Sequence, residues 1–230
     1  MKRNKFIFNI SCAQDFEKLR NINKNIDPII IIRKNIDFAG YKFKPIDAEK
    51  FDITIKGNNF TLYNLKIDSN REPNVGIFSK VNSIDVENLN LLDFNIKGGV
   101  NTGSLVGRVE KDVEIKNSTF TGTINCEAYG GGIIGSCDDL ILEDTKISSK
   151  VIGYDIVGGV VGLVDKVRLN NSEIKSTVKS VGKANGTVAG YNTEKEAERV
   201  ARMTIEAVKH LPVICTEEEM KRLEMTLKRK

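Results

Sequence analysis

The sequence predicts an all-β protein with a helical C-terminal tail, in which a right-handed parallel β-helix is built from repeats of 27 or 28 residues. Two periodic patterns, running in step, predict this fold. The composition agrees with it, since 40% of residues are hydrophobic but only 7% are aromatic and tryptophan is absent. A compact globular core usually contains more aromatic side chains, so a repetitive core of Ile, Val and Leu fits better.

The first pattern is a short apolar segment, usually flanked by glycine, that recurs five times. Its last positions are 79, 107, 135, 162 and 190, so the steps are 28, 28, 27 and 28 residues. A leucine-rich repeat would have a shorter period, and a β-propeller blade would be longer. Glycine at these places suits corners that need positive φ or close backbone approach. The segments are 75–79, 103–107, 131–135, 158–162 and 186–190.

The second pattern alternates apolar residues as in a strand with one buried face and then places Asn or Asp at a corner. Equivalent positions of successive coils would stack about 4.8 Å apart. We therefore predict a ladder whose amides hydrogen-bond to their neighbours and to turn backbone, with Asn117 as a buried rung. The predicted rungs are Asn64, Asn88, Asn117, Asp144 and Asn171.

The periodic patterns divide the chain into three parts. Residues 1–56 are predicted to form an N-terminal cap and the first strands, 57–192 the β-helix repeats, and 193–230 a helical tail. Ser11 and Gln14 match a capping box that opens a short helix, and strands at 29–32 and 51–55 begin the stack. A cap is expected because an open β-helix exposes unpaired strand edges.

The tail has apolar residues at helical spacing in two stretches separated by Pro212. The first, 194–211, has a broad stripe and is expected to cover the last coil. The second, 217–230, has a narrower stripe and is the candidate element for binding a partner or a second copy. The candidate partner-binding residues are Met220, Lys221, Arg222, Leu223 and Leu227.

The glycine-flanked segments resemble the GLUG motif of large bacterial surface proteins and adhesins. The segments 10–19 and 36–46 resemble the stretch that often precedes those repeats, so the likeness extends over about residues 10–190. In such proteins the motif is structural. The resemblance therefore implies a β-helical fold and no activity.

The apparent motifs for catalysis and for metal or cofactor binding lack residues or elements that such sites require. The run Gly130-x-Gly132-x-x-Gly135 formally matches a dinucleotide-binding fingerprint, but it is one unit of the repeat and strand residues follow where a helix is required. Gly182-Lys183-Ala184 lacks the Ser or Thr of a phosphate-binding loop. We therefore expect no cofactor and no enzymatic activity. The adjacent acidic pair Asp138 and Asp139 is expected in a solvated turn, with a weak metal or acid role as the alternative.

Four cysteines and one histidine leave no clustered ligand set for a metal. Cys12, Cys126, Cys137 and Cys215 are widely spaced, and His210 stands alone in the tail. The cysteines are interpreted as free thiols in a reducing compartment. A Cys126–Cys137 disulfide is the alternative, because both residues fall within one repeat.

Charge and hydropathy restrict the partners. The net charge of +4 is spread along the chain, which disfavours both a dedicated nucleic-acid surface and a DNA mimic. No segment approaches the roughly 18 apolar residues of a membrane span, and the apolar stretch after the basic N-terminus is short for a signal peptide.

These observations predict a non-enzymatic binding protein in the bacterial host cytosol. Its partner would be a protein or ribonucleoprotein, and the leading hypothesis is a phage or mobile-element inhibitor of a host defence nuclease such as a CRISPR effector. The alternative is a module of a bacterial surface adhesin, located at the cell surface. A carbohydrate-active β-helix is the third hypothesis.

Overall fold

The chain forms a parallel β-solenoid of about six turns, as seen in a computed structural model that describes residues 3–23, 25–69, 71–181 and 184–192. Each full coil passes through three sheets in turn, and all paired strands within the described residues are parallel. The predicted β-helical architecture is therefore confirmed.

Three sheets are present in the described residues. There, the first sheet has nine strands: β1 (Asn4–Ile10), β2 (Ile26–Ile32), β4 (Ile46–Lys56), β7 (Phe78–Glu87), β10 (Val106–Val109), β11 (Asp112–Lys116), β14 (Ile134–Glu143), β17 (Val161–Asn170) and β21 (Ala189–Asn192). The second sheet has eight: β3 (Ile36–Asp37), β5 (Thr61–Tyr63), β6 (Lys66–Asp68), β8 (Asn90–Lys97), β12 (Thr119–Asn125), β15 (Lys146–Gly153), β18 (Glu173–Ile174) and β19 (Thr177–Ser180). The third sheet has four: β9 (Val100–Thr102), β13 (Ala128–Gly131), β16 (Val157–Gly158) and β20 (Asn185–Gly186).

The register of the first sheet reproduces the period of the sequence. The residues that follow each glycine-containing turn stand directly on one another, at steps of 28, 28, 27 and 28 positions. They are Phe78, Val106, Ile134, Val161 and Ala189. Because the spacing in sequence equals the spacing in register, the predicted repeat is confirmed.

The core is a set of aliphatic columns inside the solenoid. One column consists of residues that pair in register on five successive strands, and none of its side chains is more than 4% exposed. Burying one such side chain stabilises the fold by roughly 1.5–3 kcal/mol. The column comprises Ile53, Ile84, Val113, Leu140 and Val167.

Glycine in the repeat permits direct contact between backbones of neighbouring coils. A Cβ at Gly135 would lie 2.3 Å from the carbonyl oxygen of Gly107 and 2.5 Å from the carbonyl carbon of Asn101. At Gly162 the nearest atom would be the carbonyl carbon of Tyr129, at 2.3 Å. Among the described glycines, positive φ occurs at Gly40, outside the repeats. Close approach is therefore the correct reason for the repeated glycines, and positive φ is not.

A 3₁₀ helix, Ala13–Asn21, and an aromatic cluster close the N-terminal end of the coil interior. The ring of Phe16 lies 5.7 Å from those of Phe38 and Phe43, centroid to centroid. The helix begins one residue later than predicted. The carboxylate of Asp15, and not Gln14, accepts hydrogen bonds from the backbone N–H groups of Ser11 at 2.7 Å and Cys12 at 3.2 Å.

Strand β1, which the sequence patterns did not predict, forms the outer edge of the first sheet. It pairs along its whole length with β2 and continues the sheet of the repeats into residues 1–56. Phe6 and Ile7 on this strand are about half exposed. In the described ranges no helix is long and apolar enough to cross a membrane.

Candidate functional site

Four of the five predicted ladder residues form a column of corner residues, and none of the four is fully buried. Each of the four follows a strand residue that pairs in register with those of the neighbouring coils, and each has a positive φ between 46° and 54°. They are Asn88, Asn117, Asp144 and Asn171. Asn and Asp tolerate this left-handed conformation better than other non-glycine residues. Asn117 is exposed, so the expectation of a buried rung is wrong. Local backbone geometry favours Asn or Asp at these corners, and one hydrogen bond between neighbouring rungs is present, from the Asn171 amide to the Asp144 carboxylate.

Asn64 does not belong to this column. It follows Tyr63, which pairs with Leu92, so its neighbour on the next coil is Asp93 and not Asn88. The Asn64 amide instead donates a 2.9 Å hydrogen bond to the carboxylate of Asp37. Gly57 occupies the position equivalent to Asn88, since its N–H donates to Glu87 O as that of Asn88 donates to Lys116 O.

The other sequence-derived candidates contribute no described site. Met220, Lys221, Arg222, Leu223 and Leu227 lie outside the described residues, as do Cys215 and His210. Asp138 and Asp139 lie within strand β14 and not in a turn. The carboxylate of Asp139 is 3.9 Å from Lys166 Nζ and 3.8 Å from Arg168 Nη2. The described part of the chain has no group of three His, Cys, Asp or Glu residues that could hold a metal ion.

Cysteine pairing does not occur between Cys126 and Cys137, which are both free thiols. Cys137 is buried in β14, and Cys126 follows β12, where its Sγ donates weakly to Ile152 O at 3.7 Å. Burial raises the pKa of Cys126 to about 12. Both thiols are therefore protonated and poorly nucleophilic at neutral pH.

A broad concave cleft lies at the corner between the second and third sheets. Its volume is about 910 Å³, and it is open to solvent. Three of the second-sheet strands end in it, namely β6 at Asp68, β8 at Lys97 and β12 at Asn125, while Val100 and Ala128 begin the third-sheet strands beyond it. The lining is Asp68, Arg71, Lys97, Gly98, Val100, Asn125, Cys126, Glu127, Ala128, Tyr154 and Asp155.

The cleft runs along the solenoid axis, because its residues stack on successive coils. Glu127 N–H donates to Gly99 O at 3.2 Å, Tyr154 N–H donates to Glu127 O at 3.0 Å, and Gly99 N–H donates to Glu72 O at 2.8 Å. Four coils therefore contribute, over about 14 Å at the usual strand spacing. Gly98 lies in the lining, but neither Gly98 nor Gly99 leaves an empty side-chain position in the cleft. A Cβ at Gly98 would lie 2.5 Å from Thr102 Oγ1, and a Cβ at Gly99 would lie 2.2 Å from Arg71 O.

Two ion pairs cross the cleft. Lys97 Nζ lies 3.3 Å from Asp68 Oδ2, and Arg71 Nε lies 3.3 Å from Glu127 Oε1. The second pair bridges over the glycine coil. Exposed pairs of this kind contribute only about 0–1 kcal/mol to stability. The pairs matter more for the charge of the cleft. With Asp155, the lining holds three carboxylates and two cations, which gives a net charge of about −1.

Tyr154 stands at one end of the cleft on a fixed piece of backbone. Its side chain is 69% exposed, the largest exposure of any aromatic residue among the exposed hydrophobic side chains. The N–H groups of Tyr154 and Asp155 both donate to Glu127 O at 3.0 Å. Ser180 Oγ donates to Asp155 O at 3.1 Å on the other side. The phenol ring is therefore presented to solvent from a corner held by both neighbouring coils.

Sequence motifs do not reveal this cleft. Its residues come from four repeats, and none of them carries a recognised motif. A signal was present, however, because Gly99, Glu127 and Tyr154 are separated by 28 and 27 positions, which is the repeat period. Placing corner residues in columns from the glycine segments would have brought them together.

Comparison with known proteins finds relatives that are far longer than this chain. An immunoglobulin A1 protease of Streptococcus sanguinis is 29% identical over 154 residues, which is 61% of this chain and 8% of that protein. Halomucin of Haloquadratum walsbyi is 30% identical over 135 residues, or 54% of this chain and 1% of halomucin. An immunoglobulin A1 protease of Streptococcus pneumoniae strain R6 is 24% identical over 143 residues. The chain therefore spans less than a tenth of the length of each.

No protein-family model matches the chain. A crystal structure of a Bacteroides ovatus protein, provisionally named an immunoglobulin A1 protease, aligns over 86% of both chains with 14% identity and a TM-score of 0.41. That similarity is too low to transfer any property.

Proposed function

We propose that this chain is a β-solenoid module of a bacterial surface protein, which acts by binding and by holding its binding surface rigidly rather than by catalysis. The proposal rests on one observation: this repetitive fold matches only a small part of each of its much longer relatives. The matched segments make up 8% and 1% of two of these relatives. A segment of that kind is suited to be one part of a larger extended protein.

The names of the relatives favour an extracellular setting. The streptococcal proteins are named for cleavage of immunoglobulin A1, an antibody that bacteria meet outside the cell. We do not extend that protease activity to this chain, because the similarity covers only 8% of the enzyme from Streptococcus sanguinis.

The leading hypothesis from the sequence, an inhibitor of a host defence nuclease in the bacterial cytosol, gains no support from any relative. The relatives favour the alternative, a module of a surface adhesin. The GLUG assignment is also part of this proposal. It is supported by the stacked glycine segments at 103–107, 131–135 and 158–162, whose backbones are in contact.

A surface location can be tested on intact cells of the organism that produces the protein. Cells are treated briefly with trypsin, and the protein is followed by immunoblotting beside a cytosolic enzyme as control. The proposal predicts that the module is cleaved or released while the control enzyme remains intact. Protection of the module until the cells are lysed would contradict a surface location and return the cytosolic inhibitor to consideration.

A further inference from the structure

We propose that the cleft at the corner of the second and third sheets binds a neutral glycan chain, with Tyr154 as the aromatic platform for one sugar ring. This inference rests on the proposed function in one respect, since it names the ligand of a surface module. It is drawn from the geometry, charge and rigidity of the cleft.

The shape suits a linear, flexible ligand better than a compact one. The cleft is open to solvent, and its residues come from four successive coils. A chain of sugar rings can lie along such a trough with one side in solvent. A compact cofactor would instead need a pocket that covers most of its surface.

The charge of the lining favours a ligand without charge. Lys97 and Arg71 are each paired with a carboxylate across the cleft, and the net charge of the lining is about −1. A phosphate, nucleic acid or acidic polysaccharide would have to compete with Asp68 and Glu127 for these cations. Hydroxyl groups can both donate to a carboxylate and accept from a cation, so they bind to such pairs without separating them.

The exposed aromatic ring supplies the apolar contact. A sugar ring has a face of C–H groups that packs on an aromatic face, and an amphipathic side chain such as tyrosine serves this purpose with little loss of entropy. Tyr154 is 69% exposed at the end of the cleft, and hydrogen bonds to Glu127 and from Ser180 fix the backbone on which it stands. Little ordering is therefore needed on binding, which favours affinity.

Binding is tested by isothermal titration calorimetry of the full chain against four neutral oligosaccharides: maltohexaose, cellohexaose, mannohexaose and galactohexaose. Polygalacturonate and inorganic phosphate serve as anionic probes. We expect at least one neutral oligosaccharide to bind, with an affinity that changes little between 50 and 500 mM NaCl, as is typical of contacts without net charge.

The variants locate the site. Tyr154→Ala should weaken binding about tenfold, which corresponds to about 1.4 kcal/mol, whereas Tyr154→Trp should retain it. Tyr191→Ala is the matched control, because this tyrosine is 49% exposed on β21 and does not line the cleft. Circular dichroism of each variant separates loss of binding from loss of fold.

Three outcomes would overturn the proposal: no binding of any neutral probe, unchanged binding by Tyr154→Ala, or binding confined to the anionic probes and abolished by salt. These outcomes are independent of the cell-surface test. A surface-exposed protein that binds no glycan contradicts only the ligand, whereas a cytosolic protein that binds one contradicts only the location.

Discussion

Replacing Gly135 with alanine tests whether the coil spacing is set by contact between backbones. The added Cβ would lie 2.3 Å from Gly107 O, 2.5 Å from the carbonyl carbon of Asn101 and 2.7 Å from its Cα. All three are backbone atoms of neighbouring coils, which cannot move aside without breaking ladder hydrogen bonds. Overpacking of this kind costs about 3 kcal/mol, at the upper end of the usual range.

The measurement is thermal and urea unfolding followed by circular dichroism. For a chain of this size, about 3 kcal/mol corresponds to a fall in Tm of about 6–12 °C. Gly40→Ala provides a contrast, because nothing lies within 4 Å of its added Cβ but its φ is +75°. That change should cost only about 1–2 kcal/mol, through left-handed strain. Val181→Ala, at a side chain that is 81% exposed, should change the Tm little.

The order of the three melting temperatures tests whether backbone contact sets the coil spacing. If Gly135→Ala unfolds at the same temperature as Val181→Ala, the coils must be able to separate locally at little cost. The interpretation of the repeated glycines as points of backbone contact would then be wrong.

Three further predictions follow from the corners and the ionisable groups. Asn117→Val should lower the free energy of unfolding by about 1–2 kcal/mol, because φ is 46° at this position. Asn117→Gly should not lower it, since glycine adopts this φ without strain. Equal urea midpoints for the two variants would contradict this prediction. Hydrogen bonds from Lys18 and backbone N–H groups lower the pKa of Asp15 from 3.8 to about 2, so its contribution to stability is present above pH 4 and is lost as the pH falls through about 2. The Tm difference between wild type and Asp15→Asn should therefore be seen at pH 6, be much smaller at pH 2 and vanish below it. Iodoacetamide at pH 8 should label Cys126 and Cys137 only in denaturant, because burial raises both pKa values; a linked peptide pair in a non-reducing digest would instead show a disulfide.

The sequence was sufficient to predict the architecture because a solenoid turns a distance along the chain into a position in space. The steps between the glycine segments equal the register between strands, so the sequence alone places Val106 on Phe78. The same rule failed at Asn64. It precedes Asn88 by 24 positions rather than 27 or 28, and the coil that contains it turns the corner at Gly57 instead.

The cleft could not be predicted in the same way because its character depends on side chains that differ from coil to coil. A glycine, a carboxylate and a phenol occupy one column at positions 99, 127 and 154. Periodicity identifies such a column, but it does not show which of its side chains face an open cleft. Strand β1 was not predicted because its apolar run, Phe6 to Phe8, is short and lies outside any repeat.

Backbone contact between neighbouring coils also bears on how such a protein can change in length over evolution. Each coil meets only the coils before and after it, and Phe78, Val106 and Ile134 occupy equivalent places. Excising residues 106–133 would set Ile134 on Phe78, in the place of Val106, with the glycines again facing backbone. Loss or gain of one whole coil thus preserves every column, whereas an insertion of intermediate length must be accommodated as a loop at a corner. Recombination between repeats would shorten or lengthen the rod in increments of about 4.8 Å and leave its cross-section unchanged.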